Sequence, residues 1–150
     1  MARVLVGLSG GVDSAVAAAR LLAAGHQVEG MFMQLDGDAE AEGGAGGAAG
    51  AEGGDRVASG YTGEAVKDAQ IVADYLGIKL HVWDLADEFR AIVKAPFVEG
   101  YHDGLTPNPC VRCNRLLKFG AVVQRALELG YDYVATGHYA QSWQPGAAGV

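Results

Sequence analysis

The order of elements readable in this chain predicts an α/β fold, an open parallel sheet with helices on both faces. Three observations carry that expectation. Short apolar runs alternate with helical patterns along most of the 150 residues. The first run leads at once into a double-glycine turn and an Ala/Leu-rich stretch. The strand-like runs are also nearly continuous in apolar residues, as strands covered on both sides must be. The length suits one ordinary domain with a real core.

Residues 4–8 read as a buried strand. Residues 14–24 are rich in Ala and Leu and stop at Gly25, a suitable helix end. Residues 28–33 read as a second strand, completing a βαβ unit whose crossover should be right-handed. Residues 36–60 break the pattern. They are nearly all Gly, Ala, Asp and Glu, with almost nothing to bury, and read as a flexible insert. A helix from Glu64 follows, with Val66, Ala69, Ile71, Val72, Ala73 and Leu76 on one apolar face and Gly77 as its end. Residues 80–83 make a third strand. Residues 87–101 are helical in pattern, with Phe89, Ile92, Val93 and Phe97 inward, and Pro96 should kink or split that helix. Residues 103–109 read as a loop, 115–129 as a helix closed by Gly130, and 131–135 as a fourth strand. Residues 142–150 show no pattern.

Half of the residues are apolar and 19% are charged, as in soluble globular proteins. The start lacks the apolar core of a signal peptide, and no run reaches membrane-spanning length. A cytoplasmic protein without a membrane partner is the expectation. The net charge of −7 is uneven: residues 36–60 hold six acidic residues and one Arg, which leaves the rest at −2. Arg112, Arg115 and Lys118 form a local basic cluster, so the acidic total does not exclude nucleic acid.

The turn after the first strand is Ser9-Gly10-Gly11-Val12-Asp13-Ser14. It is not a Walker loop, which needs a Lys, nor a dinucleotide fingerprint, whose glycine spacing differs. Adjacent glycines let backbone N–H groups close around an anion, and the following helix adds its positive end. Ser9 and Ser14 can each donate a hydroxyl to a phosphate oxygen. Asp13 suits such a site if it holds Mg²⁺, or if it caps the helix with its carboxylate turned away.

The second unusual stretch runs Thr106-Pro107-Asn108-Pro109-Cys110-Val111-Arg112-Cys113-Asn114. The prolines fix the backbone around Asn108. Cys113 stands near a helix start and beside Arg112 and Arg115, which favours a thiolate of depressed pKa. A catalytic nucleophile, a zinc half-site with His81, His102 or His138, a thioredoxin-type redox pair and inert buried thiols remain open. Thr136-Gly137-His138 follows the fourth strand, at the edge of a parallel sheet where ligands lie. Met33 ends the second strand and could pack on an adenine, or be core.

These stretches resemble the tRNA-specific 2-thiouridylases, of the PP-loop ATP pyrophosphatase superfamily. The matching pieces are Gly7-Leu8-Ser9-Gly10-Gly11-Val12-Asp13-Ser14, residues 28–33, residues 68–78, the Pro-Asn-Pro-x-x-x-Cys-Asn string and Ala135-Thr136-Gly137-His138-Tyr139. The loop alone marks the superfamily; the last two strings are much more specific. The resemblance implies a Rossmann-like adenine-nucleotide fold and an enzyme that adenylates the C2 oxygen of a tRNA wobble uridine. Pyrophosphate would leave, and sulfur from a persulfide protein or a cysteine desulfurase would replace the oxygen. It assigns ATP and Mg²⁺ binding to Gly7, Leu8, Ser9, Gly10, Gly11, Val12, Asp13, Ser14, Met33 and Gly137. It assigns the target base to Asn108, Pro109 and Cys110, and the nucleophile to Cys113.

Two departures accompany the likeness. Cys110 stands where many members carry Asp, and the family's second, persulfide-carrying cysteine lies further downstream than Val150. Residues 1–150 therefore read as the ATP-binding catalytic domain alone, without the later RNA-contacting domains, and by itself it should lack sulfur transfer and bind tRNA poorly. Another PP-loop ligase or amidotransferase would share the loop without needing Cys113. A non-catalytic ATP-binding module would share the loop but release no pyrophosphate.

Overall fold

A computed structural model describes residues 1–35 and 64–140. The insert expected at 36–60 and the tail at 142–150 lie outside the described residues. The chain runs β1 (Arg3–Gly7), α1 (Val12–Ala23), β2 (Gln27–Gln34), α2 (Glu64–Leu76) and β3 (Leu80–Asp84). Two longer helices follow, α3 over 86–102 and α4 over 109–128, and then β4 (Tyr133–Ala135).

The strands form one parallel sheet in the order β3-β2-β1-β4. Register pairs Val4 with Val28 on one side and with Tyr133 on the other, and Met31 with His81. Successive strand residues point to opposite faces, and both faces are covered. Val4, Val6 and Val28 pack with Ala18 of α1 and with Ala69 and Ala73 of α2. Leu5, Met31 and Trp83 pack on the other face with Val93 of α3 and with Cys113, Leu117, Val122 and Ala126 of α4. The predicted doubly covered parallel sheet is therefore what forms.

Chain order reverses at β1. The chain leaves β1 toward β2 and β3, then returns to place β4 on the other side of β1. Beyond the carboxyl ends of β1 and β4 the connections diverge and a crevice opens, the place where ligands lie in such sheets.

Several local expectations are corrected. Ile71 is exposed, because the face of α2 turned to the sheet is formed by Val66, Ala69, Val72, Ala73 and Leu76 and Ile71 lies well round the helix from it. Pro96 does not split α3, which is helical throughout 86–102. The helix is α at Ala86–Phe89, π at Arg90–Lys94 and α again at Ala95–His102. The wider winding just ahead of Pro96 absorbs its missing N–H. The carbonyl of Ile92, four residues before Pro96, accepts the Arg112 Nε–H of α4.

The stretch read as a loop up to Pro109 also ends sooner than expected. Asn108 caps α4, its Oδ1 accepting the Val111 N–H at 3.1 Å, and Pro109 takes the first helical position. α4 is α at Pro109–Arg112, π at Cys113–Ala121 and α at Val122–Glu128. Tyr131 and Asp132 precede β4 rather than start it.

Candidate functional site

The turn between β1 and α1 is shaped by its glycines and knitted by its serines. Gly10 has a φ of +81°, and a Cβ there would stand 2.7 Å from the Asp68 Cβ of α2. Only glycine meets both conditions. Gly11 is extended and precedes α1 with no side-chain cap, so the first-turn N–H groups of the helix remain available to an anion.

Ser14 is buried, and its hydroxyl donates to the Gly11 carbonyl at 2.9 Å. The Ser9 N–H donates to Ser14 Oγ at 3.3 Å, and the Gly11 N–H donates to Ser9 Oγ at 3.4 Å. Ser14 thus holds the loop's shape, while Ser9 is the exposed hydroxyl at its mouth. Of the two donors expected from sequence, the second has its proton committed within the loop.

The facing wall comes from the segment after β4. A Cβ on Gly137 would lie 2.7 Å from the Ser14 nitrogen and 2.9 Å from the Asp13 carbonyl carbon. This segment therefore rests directly on the first turn of α1. His138 Nδ1 is 2.9 Å from Thr136 Oγ1, and its ring packs against Phe119 of α4 at 5.6 Å. Tyr139 donates its hydroxyl to Asp13 Oδ1 at 2.8 Å. Asp13 does not cap α1, since Gly11 holds that position. Hydrogen bonding to the Asp13 carboxylate, and that carboxylate's charge, push the Tyr139 phenol up.

Between these walls lies an open cleft of about 280 Å³. Its floor is apolar, from Met31, Met33, Val122 and Val134, and its rim is polar, from Ser9, Asp13, Thr136, His138 and Lys118. Gly7, Leu8, Ser9, Asp13, Ser14, Met33 and Gly137, all singled out from sequence, converge here. Gly10, Gly11 and Val12 shape the turn without lining the cleft. Lys118 is the residue whose place sequence reasoning missed. Its position in the sequence groups it with Arg112 and Arg115, but α4 carries it into the cleft while those two line the second cavity. Only the helical phase of that segment could have signalled it.

Cys110 is exposed in the first turn of α4, whereas Cys113 is buried in the core beside Leu117 and lines neither this cleft nor the next cavity. Burial pushes the Cys113 thiol up and Cys110 adds to the rise, while the Lys118 charge opposes it. The direction is opposite to the depressed pKa expected from the sequence. Asn108 and Pro109 line a second cavity of about 380 Å³ with Pro96, Phe97, Arg112 and Arg115. The residues expected to meet a base thus stand apart from the loop that faces the first cleft. Among the described residues, no three His, Cys, Asp or Glu side chains gather as a metal site.

The parallel sheet, its switch point and the glycine turn define a Rossmann-like α/β domain of the HUP type. The chain belongs to the family described as tRNA methyl transferase HUP domain, whose family model matches residues 2–149. It is 50% identical over 143 residues to the tRNA-specific 2-thiouridylase MnmA of Mycolicibacterium gilvum, covering 93% of this chain. It is likewise 50% identical over 149 residues to the protein of that name from Beutenbergia cavernae, covering 99% of this chain. The chain spans 36% of the length of each of these relatives. A solved structure, a predicted subunit of tRNA methyltransferase from Methanocaldococcus jannaschii, matches with a TM-score of 0.58 at 18% identity. That match covers 99% of this chain and 58% of the other, and it reflects the fold.

Proposed function

We propose that this chain is the ATP-using domain of a tRNA-uridine 2-sulfurtransferase. One observation carries the reading: α4 places Cys113 in the core and, five residues on, Lys118 in the cleft that the glycine turn faces. The Lys118 charge acts on the Cys113 thiol, so this lysine would link the buried sulfur to phosphates held in the cleft. The 2-thiouridylase relatives at 50% identity support the same chemistry.

The residues fit an adenine nucleotide. The Gly10 and Gly137 positions admit no Cβ, the α1 terminus is uncapped, and Met31 and Met33 offer an apolar floor for a base. Ser9, the first-turn N–H groups and Lys118 would hold phosphates; Asp13 would hold Mg²⁺. Bound ATP supplies the adenylyl group that makes the C2 oxygen of a tRNA wobble uridine a leaving group, with pyrophosphate released. Asn108, Pro109 and Cys110 would receive the base, and Arg112 and Arg115 the RNA phosphates nearby.

Cys113 would act as the nucleophile toward sulfur carried by a persulfide protein or a cysteine desulfurase. Burial pushes its thiol up, and the Lys118 charge works against that and favours the thiolate. Among the described residues no helix is long and apolar enough to cross a membrane, and we place the protein in the cytoplasm with its tRNA substrate.

The test uses a chain extended to the length of its relatives. Cys113→Ser should abolish 2-thiouridine in recovered tRNA while ATP binding and tRNA-dependent pyrophosphate release persist. Unchanged thiolation in that variant overturns the assignment of Cys113. Absence of pyrophosphate release with any tRNA overturns the enzymatic reading.

A further inference from the structure

Cys110 and Cys113 differ sharply in setting although they are three residues apart on one helix. Cys110 is exposed; Cys113 is 8% exposed and fixed by the core around Leu117. A rise of 1.5 Å per residue on a 2.3 Å radius puts Cα atoms three residues apart at about 5 Å. That lies inside the roughly 4.4–6.8 Å a disulfide spans. The Cβ atoms of such a pair stand about 5–6 Å apart, against about 3.5–4.5 Å in a disulfide, so one residue must move.

Cys110 is placed to do so. It lies in the four-residue turn Pro109–Arg112, preceded by a proline with no N–H to lose, and the helix changes its winding at Cys113.

We propose that Cys110 and Cys113 form a reversible disulfide within α4, with Cys110 meeting a peroxide and Cys113 resolving it. The Cys110 thiolate attacks the O–O bond of hydrogen peroxide, forming a sulfenic acid and hydroxide, which takes up the thiol's proton to give water. The Cys113 sulfur then displaces the sulfenic hydroxyl, forming the S–S bond, and its proton leaves with that hydroxide as a second water. The sulfurs together lose two electrons and the peroxide gains them. The adjustment at Cys110 strains the bond and leaves it open to reduction by a dithiol. Where Cys113 is the nucleophile proposed above, a bridged pair is an off-state; this consequence, unlike the bridge itself, rests on that reading.

Arg112 separates the cysteines, so trypsin leaves them on different peptides. After the full chain is treated with hydrogen peroxide, unfolded and digested, the two peptides should remain joined within a monomer and separate on reduction. In Cys110→Ser, Cys113 should oxidise roughly tenfold more slowly than in the parent, because it is buried. In Cys113→Ser, Cys110 should proceed to sulfinic acid, having no partner. Separate peptides with Cys110 over-oxidised in the parent overturn the proposal, as does Cys113 oxidising equally fast without Cys110. These readouts need neither ATP nor RNA, so they stand or fall apart from the thiolation test.

Discussion

Asp13 and Tyr139 meet across the mouth of the cleft although 126 positions separate them, with the phenol donating to the carboxylate at 2.8 Å. A carboxylate in an anion site repels phosphate unless its charge is turned to use. In this structure Tyr139 engages it, and the phenol's raised pKa records the cost of a second negative charge beside it. If Asp13 is to hold Mg²⁺, the tyrosine must release it. Tyr139→Phe should therefore tighten Mg²⁺-dependent ATP binding a few-fold and leave nucleotide binding without Mg²⁺ as it was. Because Tyr139 is highly exposed, the thermal midpoint should barely move. Calorimetric titration with and without Mg²⁺ reads the difference, and equal affinities in both conditions for parent and variant would show that the bond does not govern the metal.

At the scale of elements, α3 and α4 are joined where Pro96 leaves a gap in its own helix. The Ile92 carbonyl has no α-helical donor at Pro96 and accepts the Arg112 Nε–H instead. Arg112→Ala should cost about 0.5–1 kcal/mol in urea unfolding, a modest figure because the arginine is solvated. In a Pro96→Ala background the same change should cost less, since residue 96 then supplies the missing N–H. Strict additivity of the two changes would refute the compensation. The same pair of helices marks the limit of what was legible in the sequence. Strands, the first βαβ unit and the glycine turn were plain, because alternation and double glycine are local signals. The start of α4 was missed because Pro-Asn-Pro reads as a loop, although Asn followed by Pro is also a cap followed by a first helical residue. The π windings could not be read, because the change from i→i+4 to i→i+5 bonding leaves no mark in the apolar pattern of the residues. For the same reason the sequence groups Lys118 with Arg112 and Arg115 and leaves the burial of Cys113 at its helix start open, whereas Lys118 lines the cleft and Cys113 joins the core.

Across the whole molecule the two edges of the sheet are treated differently. At the carboxyl edge the strands end in the open cleft. At the amino edge a polar cluster ties the strands together: Glu29 of β2 accepts from Tyr131 Oη at 2.9 Å and pairs with His81 Nε2 of β3 at 2.6 Å. Arg3 of β1 reaches Glu29 at 3.5 Å and lies over the Tyr131 ring at 4.7 Å. Burial alone would push the Glu29 carboxyl up, but the hydrogen bonds from His81 and Tyr131, the His81 charge and Arg3 outweigh it. The carboxyl therefore sits below its ordinary value of 4.5. A folded pKa below the unfolded one means that the unfolded chain binds the proton more readily. The stabilisation is then complete above about pH 4.5 and is lost as pH falls through the lower, folded value. Glu29→Gln should lower stability near neutral pH and flatten the decline below pH 4.5, since the group that titrates is gone. Urea midpoints measured across that range decide it: an equally steep decline in the variant would place the acid sensitivity elsewhere. If the amino edge is the clamp that lets the carboxyl edge stay open, the neutral-pH loss should appear as faster hydrogen exchange in β2 and β3, leaving the glycine turn unchanged.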